Sequence, residues 1–218
     1  MTLEADLFWS FRSPYSYLAT PQYRRMTEDY DLKINVRPVY PIAIRTPEFF
    51  KSVNPKWIPY LMLDCKRIAD YRGMGFKWPN PDPVVIDRTN GTIAKEQPYI
   101  RMITRLGMKA VEAGKGLSFI DEVSRSIFDG STTNWHLPET LEKTVARAGL
   151  SLTELTQQVE GNEDKIDVDI SRNQEALDDS GHWGVPTLVF NGEPFFGQDR
   201  VDLALWRMKQ HGLTARKN

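Results

Sequence analysis

A short apolar run, Leu7-Phe8-Trp9, gives way within four residues to Ser13-Pro14, and that junction constrains the fold more than any other stretch of the chain. Three consecutive large apolar residues predict a strand covered on both faces, not one side of an exposed sheet. Ser13-Pro14 reads as a helix start. A serine oxygen accepts from the free amides of a first turn, and proline at the first helical position gives up no needed hydrogen bond. A strand aimed into a capped helix presents amide donors and a positive dipole end to whatever sits above it, which suits an anion. The plainer reading is a capped helix and nothing more.

The junction opens a parallel unit. Residues 14–29 read as a helix with Tyr17, Leu18, Tyr23 and Met26 on its apolar face, and Pro21 predicts a kink because it removes a backbone donor. Lys33-Ile34-Asn35-Val36-Arg37 alternates polar and apolar, a strand signature, and Pro38 and Pro41 end regular pairing. Strand, helix, strand in this order predicts a right-handed crossover.

From Thr46 to about Arg172 the chain reads as helices separated by Gly, Pro and Asn. Residues 58–71 carry Leu61, Leu63, Ile68 and Tyr71; residues 97–113 carry Ile100, Ile103 and Leu106. Residues 117–128, 137–148 and 162–178 follow, the last mostly polar and facing inward through Ile166, Ile170 and Leu177. Trp78-Pro79-Asn80-Pro81-Asp82-Pro83 is too proline-rich for helix or central strand. It predicts a stiff extended loop carrying an indole, either a plain connector or the wall of a site.

The C-terminal part returns to sheet. Residues 185–190 read as a buried strand begun by Pro186, Asn191-Gly192 as a tight hairpin turn, and Pro194-Phe195-Phe196 as the return strand. A final helix presents Val201, Leu205 and Met208, with Asp199 as its cap. The fold class predicted is α/β: a thioredoxin-like β-α-β … β-β-α domain of residues 1–43 plus 181–218, interrupted by an all-helical insertion of residues 44–180.

Composition removes several function classes. Lys+Arg 28 against Asp+Glu 29 gives a net charge of -1, which offers no basic excess for nucleic acid. No apolar run approaches the length of a membrane span, and the N-terminus lacks the basic-then-apolar layout of an export signal, so a cytoplasmic protein is expected. The single cysteine, Cys65, excludes an internal disulfide and any paired-cysteine redox motif, and it reads as a small core residue. His136, His182 and His211 are scattered, with no metal-ligand spacing.

Three separated pieces then agree. Phe11-Arg12-Ser13-Pro14-Tyr15-Ser16-Tyr17-Leu18, Gly184-Val185-Pro186-Thr187 and Phe196-Gly197-Gln198-Asp199-Arg200 together resemble the 2-hydroxychromene-2-carboxylate isomerases and the kappa-class glutathione transferases. The resemblance implies a thioredoxin-like domain with a helical insertion, glutathione as cofactor, and a homodimer. The position resembling the reactive cysteine of disulfide oxidoreductases is Ser13, so redox chemistry is lost and Ser13 becomes a donor to the glutathione thiolate. A serine hydroxyl and a helix dipole both favour that anion and so lower the thiol pKa.

Carried over residue by residue, the resemblance makes Pro186 a cis-proline beside the active site, with Val185 pairing with the cysteinyl part of glutathione. Gln198 and Asp199 would meet its γ-glutamyl end, Asp199 facing the ammonium. Trp78, Asn80 and Pro81 fall where the isomerases have a substrate-lining loop, and Asn54 matches an earlier substrate-binding asparagine. Arg45 and Lys51 are either partners for a substrate carboxylate or solvated surface charges. Arg12, just before Ser13, and Tyr40-Pro41-Ile42-Ala43 depart from the isomerase pattern. The resemblance thus implies a glutathione-dependent cis-trans isomerase of an aromatic-derived carboxylate. The alternatives are a transferase conjugating electrophiles, and a glutathione-binding protein without turnover.

Overall fold

The computed structural model describes residues 2–87 and 92–216. Its centre is a four-stranded sheet in the order β2-β1-β3-β4. The strand β1 (Leu3–Trp9) runs parallel to β2 (Leu32–Pro38) in the register Leu3↔Leu32 to Trp9↔Pro38. It also pairs antiparallel with β3 (Thr187–Phe190), which pairs in turn with β4 (Glu193–Phe196). Pro38 makes the last parallel pair on an edge strand, where a missing donor costs least. Asn191 and Gly192 both have positive φ, the conformation a two-residue hairpin of this hand requires.

Trp9 and Leu7 pack into the main core while Phe8 joins Val39 and Leu177 on the opposite face, so β1 is covered on both sides as its composition predicts. The helix α1 (Pro14–Asp29) crosses one face with Tyr17, Leu18, Tyr23 and Met26 buried, and it continues through Pro21 without a break. Between β2 and β3 lie α2 (Ile42–Arg45), α3 (Phe49–Ser52), α4 (Trp57–Arg72), α5 (Pro98–Glu112) and α6 (Gly116–Phe128). They are followed by α7 (Pro138–Arg147), α8 (Leu152–Val159) and α9 (Glu163–Asp179), and the chain closes with α10 (Val201–Gln210). α5 and α6 pack against β2 and α9 against the same strand, so one buried cluster runs from the sheet into the helical region.

Three expectations are corrected. In α4 the buried residues are Cys65 and Ala69, whereas Leu63 is 49% and Tyr71 89% exposed. The inward stripe runs through 61, 65, 68, 69 and 72 at helical spacing, which leaves 63 and 71 on another face. Asp199 does not cap α10: the cap position is Arg200, without a side-chain bond, and Asp199 instead pairs with Arg200 at 2.7 Å. The short helices α2, α3 and α8 are additional. Of these, α8 had a legible start, since Ser151 accepts from the Glu154 amide in a Ser-x-x-Glu sequence.

Candidate active site at the start of helix α1

Ser13 is the N-cap of α1, in extended conformation with φ -91 and ψ 111. Its Oγ accepts from the Ser16 amide at 3.2 Å, and its carbonyl accepts the first intrahelical bond from Tyr17 N. Pro14 has no amide to satisfy. Among the described residues, that leaves the Tyr15 amide as the first-turn donor without a partner. The Ser13 hydroxyl proton is directed elsewhere, to the Val185 carbonyl at 3.2 Å.

The segment before β3 is fixed one carbonyl at a time. Trp183 O accepts from Arg45 Nη2 at 2.8 Å, Gly184 O from Thr187 Oγ1 at 2.7 Å, Val185 O from Ser13, and Pro186 O from Gly197 N at 2.9 Å. The Val185–Pro186 peptide is cis. The Val185 amide has no partner among the described residues, so one free donor stands next to the Ser13 hydroxyl. Gly184 has no room for a side chain: an added Cβ would run into the Phe196 ring and lie 3.0 Å from His182 Cε1.

Gly197 brings the third motif to the same place by its bond to Pro186. Gln198 follows, and both its carbonyl and its Oε1 accept from Arg72 Nη2 of α4, while Arg72 Nη1 donates to Leu18 O of α1 at 2.7 Å. Burial pushes the Arg72 pKa down, with the nearby Asp202 carboxylate opposing it. Asp199 is exposed, and its bond to the neighbouring Arg200 is a surface pair of small worth.

The proline loop lies against the residue preceding Ser13. Arg12 Nε is paired with Asp82, and its guanidinium carbon is 5.4 Å from the centroid of the Trp78 ring. The Trp135 indole donates to Pro81 O at 2.8 Å, and Lys77 N donates to Phe128 O at 2.6 Å, so the loop is pinned along its length. Asn80 is exposed, and the Asn80–Pro81 peptide is cis. Asn54 is not brought to Ser13 by any bond: it is exposed, and its Oδ1 accepts from Lys56 N ahead of α4. Arg45 is neither a solvated charge nor a free cation. It is partly buried, its pKa is pushed down by that burial, and its Nε and Nη2 donate to Tyr40 O and Trp183 O. Lys51 is exposed and paired with Glu48.

A cleft of about 680 Å³ opens between α2, α3 and α9, with Trp183 on its wall. Its aromatic wall is Trp183, whose ring centroid is 5.2 Å from that of Phe49, and not Trp78. Cys65 is fully buried, and burial, with a lesser push from Asp64, drives its thiol up to about 12. It is therefore a neutral core thiol at physiological pH, as its helix context predicts. Sequence reasoning missed Arg72, Trp183 and the Tyr15–Asp64 bond of 2.8 Å that ties α1 to α4. The signal available for Arg72 was an arginine at the inward position of an otherwise apolar stripe.

The structure is similar to 2-hydroxychromene-2-carboxylate isomerase, with a TM-score of 0.70 and 18% identity, covering 96% of each chain. A probable DsbA oxidoreductase from Streptomyces coelicolor follows at 0.66 and 14% identity, covering 99% of this chain and 93% of that one. The cytosolic disulfide reductase DsbM from Pseudomonas aeruginosa has a TM-score of 0.60 and 17% identity, covering 96% and 100%, and it has also been solved with GSH. At these identities the likeness is one of fold. No curated protein matches the sequence. Among the described residues no helix is long and apolar enough to cross a membrane, and no group of His, Cys, Asp and Glu could hold a metal. The sequence itself matches the DSBA-like thioredoxin domain over residues 4–208, and the chain belongs to that family.

Proposed function

We propose that the protein is a glutathione-dependent cis-trans isomerase, in which the glutathione thiolate adds reversibly to a conjugated, aromatic-derived substrate. The observation that carries this reading is the pairing of Ser13 and Val185 at the capped start of α1, in a chain whose single cysteine is buried elsewhere. A thioredoxin-like site with no cysteine at the helix start cannot run dithiol exchange by itself. It retains what an external thiolate needs: a hydroxyl, a helix dipole, and the free amides of Tyr15 and Val185.

Glutathione lies with its cysteinyl part along Val185 and its γ-glutamyl end toward Gln198 and Asp199. Addition of the thiolate turns the substrate double bond into a single bond, rotation follows, and the thiolate leaves. Glutathione is regenerated. The protein works in the cytoplasm as a homodimer, without nucleic acid or membrane as partner.

Calorimetry with glutathione tests the binding step; a chain that does not bind it is neither an isomerase nor a transferase of this kind. A thiol assay tests the reaction class. Turnover without loss of thiol supports the isomerase, whereas stoichiometric loss makes the protein a transferase resembling the kappa class.

A further inference from the structure

Arg12 immediately precedes Ser13, and its guanidinium is held from two sides. Asp82 takes its Nε, and the Trp78 ring lies 5.4 Å from its central carbon. Both partners are themselves fixed. Asp82 Oδ1 also accepts from the Val84 amide at 2.9 Å, and Trp78 sits edge-on to Phe76 with centroids 5.5 Å apart. The loop has further anchors in Trp135 and Lys77, so the Arg12 pair is not its sole attachment. An arginine has five donors, and Asp82 uses the Nε edge. Among the described residues neither Nη has a partner, and 25% of the side chain is exposed. The result is an oriented cation with an open edge, beside a tryptophan and one residue from the candidate thiolate site.

We propose that Arg12 is the specificity-determining residue for the second substrate. Its open Nη edge receives an oxyanion of a planar aromatic molecule whose ring lies along Trp78. The chemistry of this inference rests on the glutathione reading above. When the thiolate adds, its electron pair forms the C–S bond and the C=C pair moves through the conjugated system onto a carbonyl oxygen. The same electrons return as the thiolate leaves, so no proton, oxidant or reductant is consumed. Arg12 meets the charge that gathers on that oxygen, and Asp82 with Trp78 keeps the guanidinium plane in place.

The test uses two non-reacting probes of matched ring and different charge, cinnamate and cinnamyl alcohol, titrated by NMR into the full chain without glutathione. Wild type is expected to bind cinnamate about tenfold more tightly than the alcohol, and Arg12→Ala to lose that preference. Arg12→Lys keeps the charge without the fork and is expected to retain part of it. Asp82→Asn removes a negative charge near the bound anion while its amide oxygen still accepts from Nε, and is expected to tighten cinnamate several-fold. A purely structural clamp gives the opposite for Asp82→Asn, which would then weaken both probes as Arg12→Ala does. That outcome, equal binding of both probes, or no binding of cinnamate by wild type each overturns the proposal. Glutathione titrated into the same samples reports on the isomerase reading separately, because its failure to bind leaves the cinnamate comparison intact.

Discussion

The Ser13 hydroxyl donates to the Val185 carbonyl across 3.2 Å, closing a contact between residues 172 apart in sequence. A hydroxyl has one proton, and this one is committed to the protein. To donate to a bound sulfur it must rotate away from Val185 O while keeping its lone pair on the Ser16 amide. In the glutathione complex proposed above, the carbonyl it releases would accept from the cysteinyl amide, and one rotation would serve both halves of the site.

Ser13→Ala is therefore expected to have two separable effects. Loss of the cap lowers stability by about 1 kcal/mol, read as a shifted denaturation midpoint. Loss of the donor raises the pKa of bound glutathione toward that of the free tripeptide, read from thiolate absorbance against pH. The wild-type complex is expected to hold the thiol ionised at neutral pH, and the variant to hold more of it protonated. Identical titrations in the two proteins would remove Ser13 from the activating role.

Much of this arrangement was legible from local chemistry. Ser13-Pro14, Asn191-Gly192 and the alternation of 33–37 each prescribe a backbone conformation on their own, and the structure adopts all three. The loop at 78–83 was legible as stiff because proline limits the backbone wherever it occurs. What stayed hidden were bonds between distant segments. Arg72 donates to carbonyls of residues 18 and 198, and Arg45 to those of 40 and 183. Nothing in the sequence around either arginine specifies those acceptors. Asp199 failed as a cap for a related reason: an aspartate before a helix reads as a cap, but here the turn at Gly197 shifts the helix start to Arg200.

Arg72 ties α4 to the start of the third motif, and its removal takes the side-chain donor from Gln198 O and breaks the bond that joins α4 to Leu18 O of α1. Arg72→Ala is expected to destabilise the fold by roughly 1–3 kcal/mol. Arg72→Lys should recover only part of this, because one ammonium cannot reproduce the fork that reaches both carbonyls. Chemical denaturation of the three proteins checks the order, and a fully restored lysine variant would show that charge alone is sufficient.

Gly184→Ala places a methyl group against the rings of Phe196 and His182, which stack on each other with centroids 3.9 Å apart. Neither ring can yield without disturbing the other. The expected cost is about 1–3 kcal/mol of stability. Because Gly184 directly precedes Val185, glutathione affinity should fall with it. Retention of wild-type affinity in a destabilised variant would mean that the Val185 amide is not part of the ligand contact.

Asp167 of α9 gathers Tyr40 Oη at 2.8 Å, Arg105 Nε at 2.9 Å and Nη2 at 2.8 Å, and Arg101 Nη1 at 3.2 Å. Burial pushes its carboxyl up, but the bonds from Arg105 and Tyr40 and the two guanidinium charges outweigh that, so its pKa falls below the ordinary aspartate value. A folded-state pKa lower than the unfolded one means stability that is complete above the ordinary value and is lost as pH falls through the folded one. Asp167→Asn is expected to cost roughly 1–3 kcal/mol at neutral pH. The gap to wild type should narrow steadily in acid, because protonation of wild-type Asp167 removes the same interaction. Thermal melts from neutral to acid pH measure that gap. A gap of constant size across the range would show that the asparagine disturbs packing, and that the Asp167 charge does not hold α9 against α5.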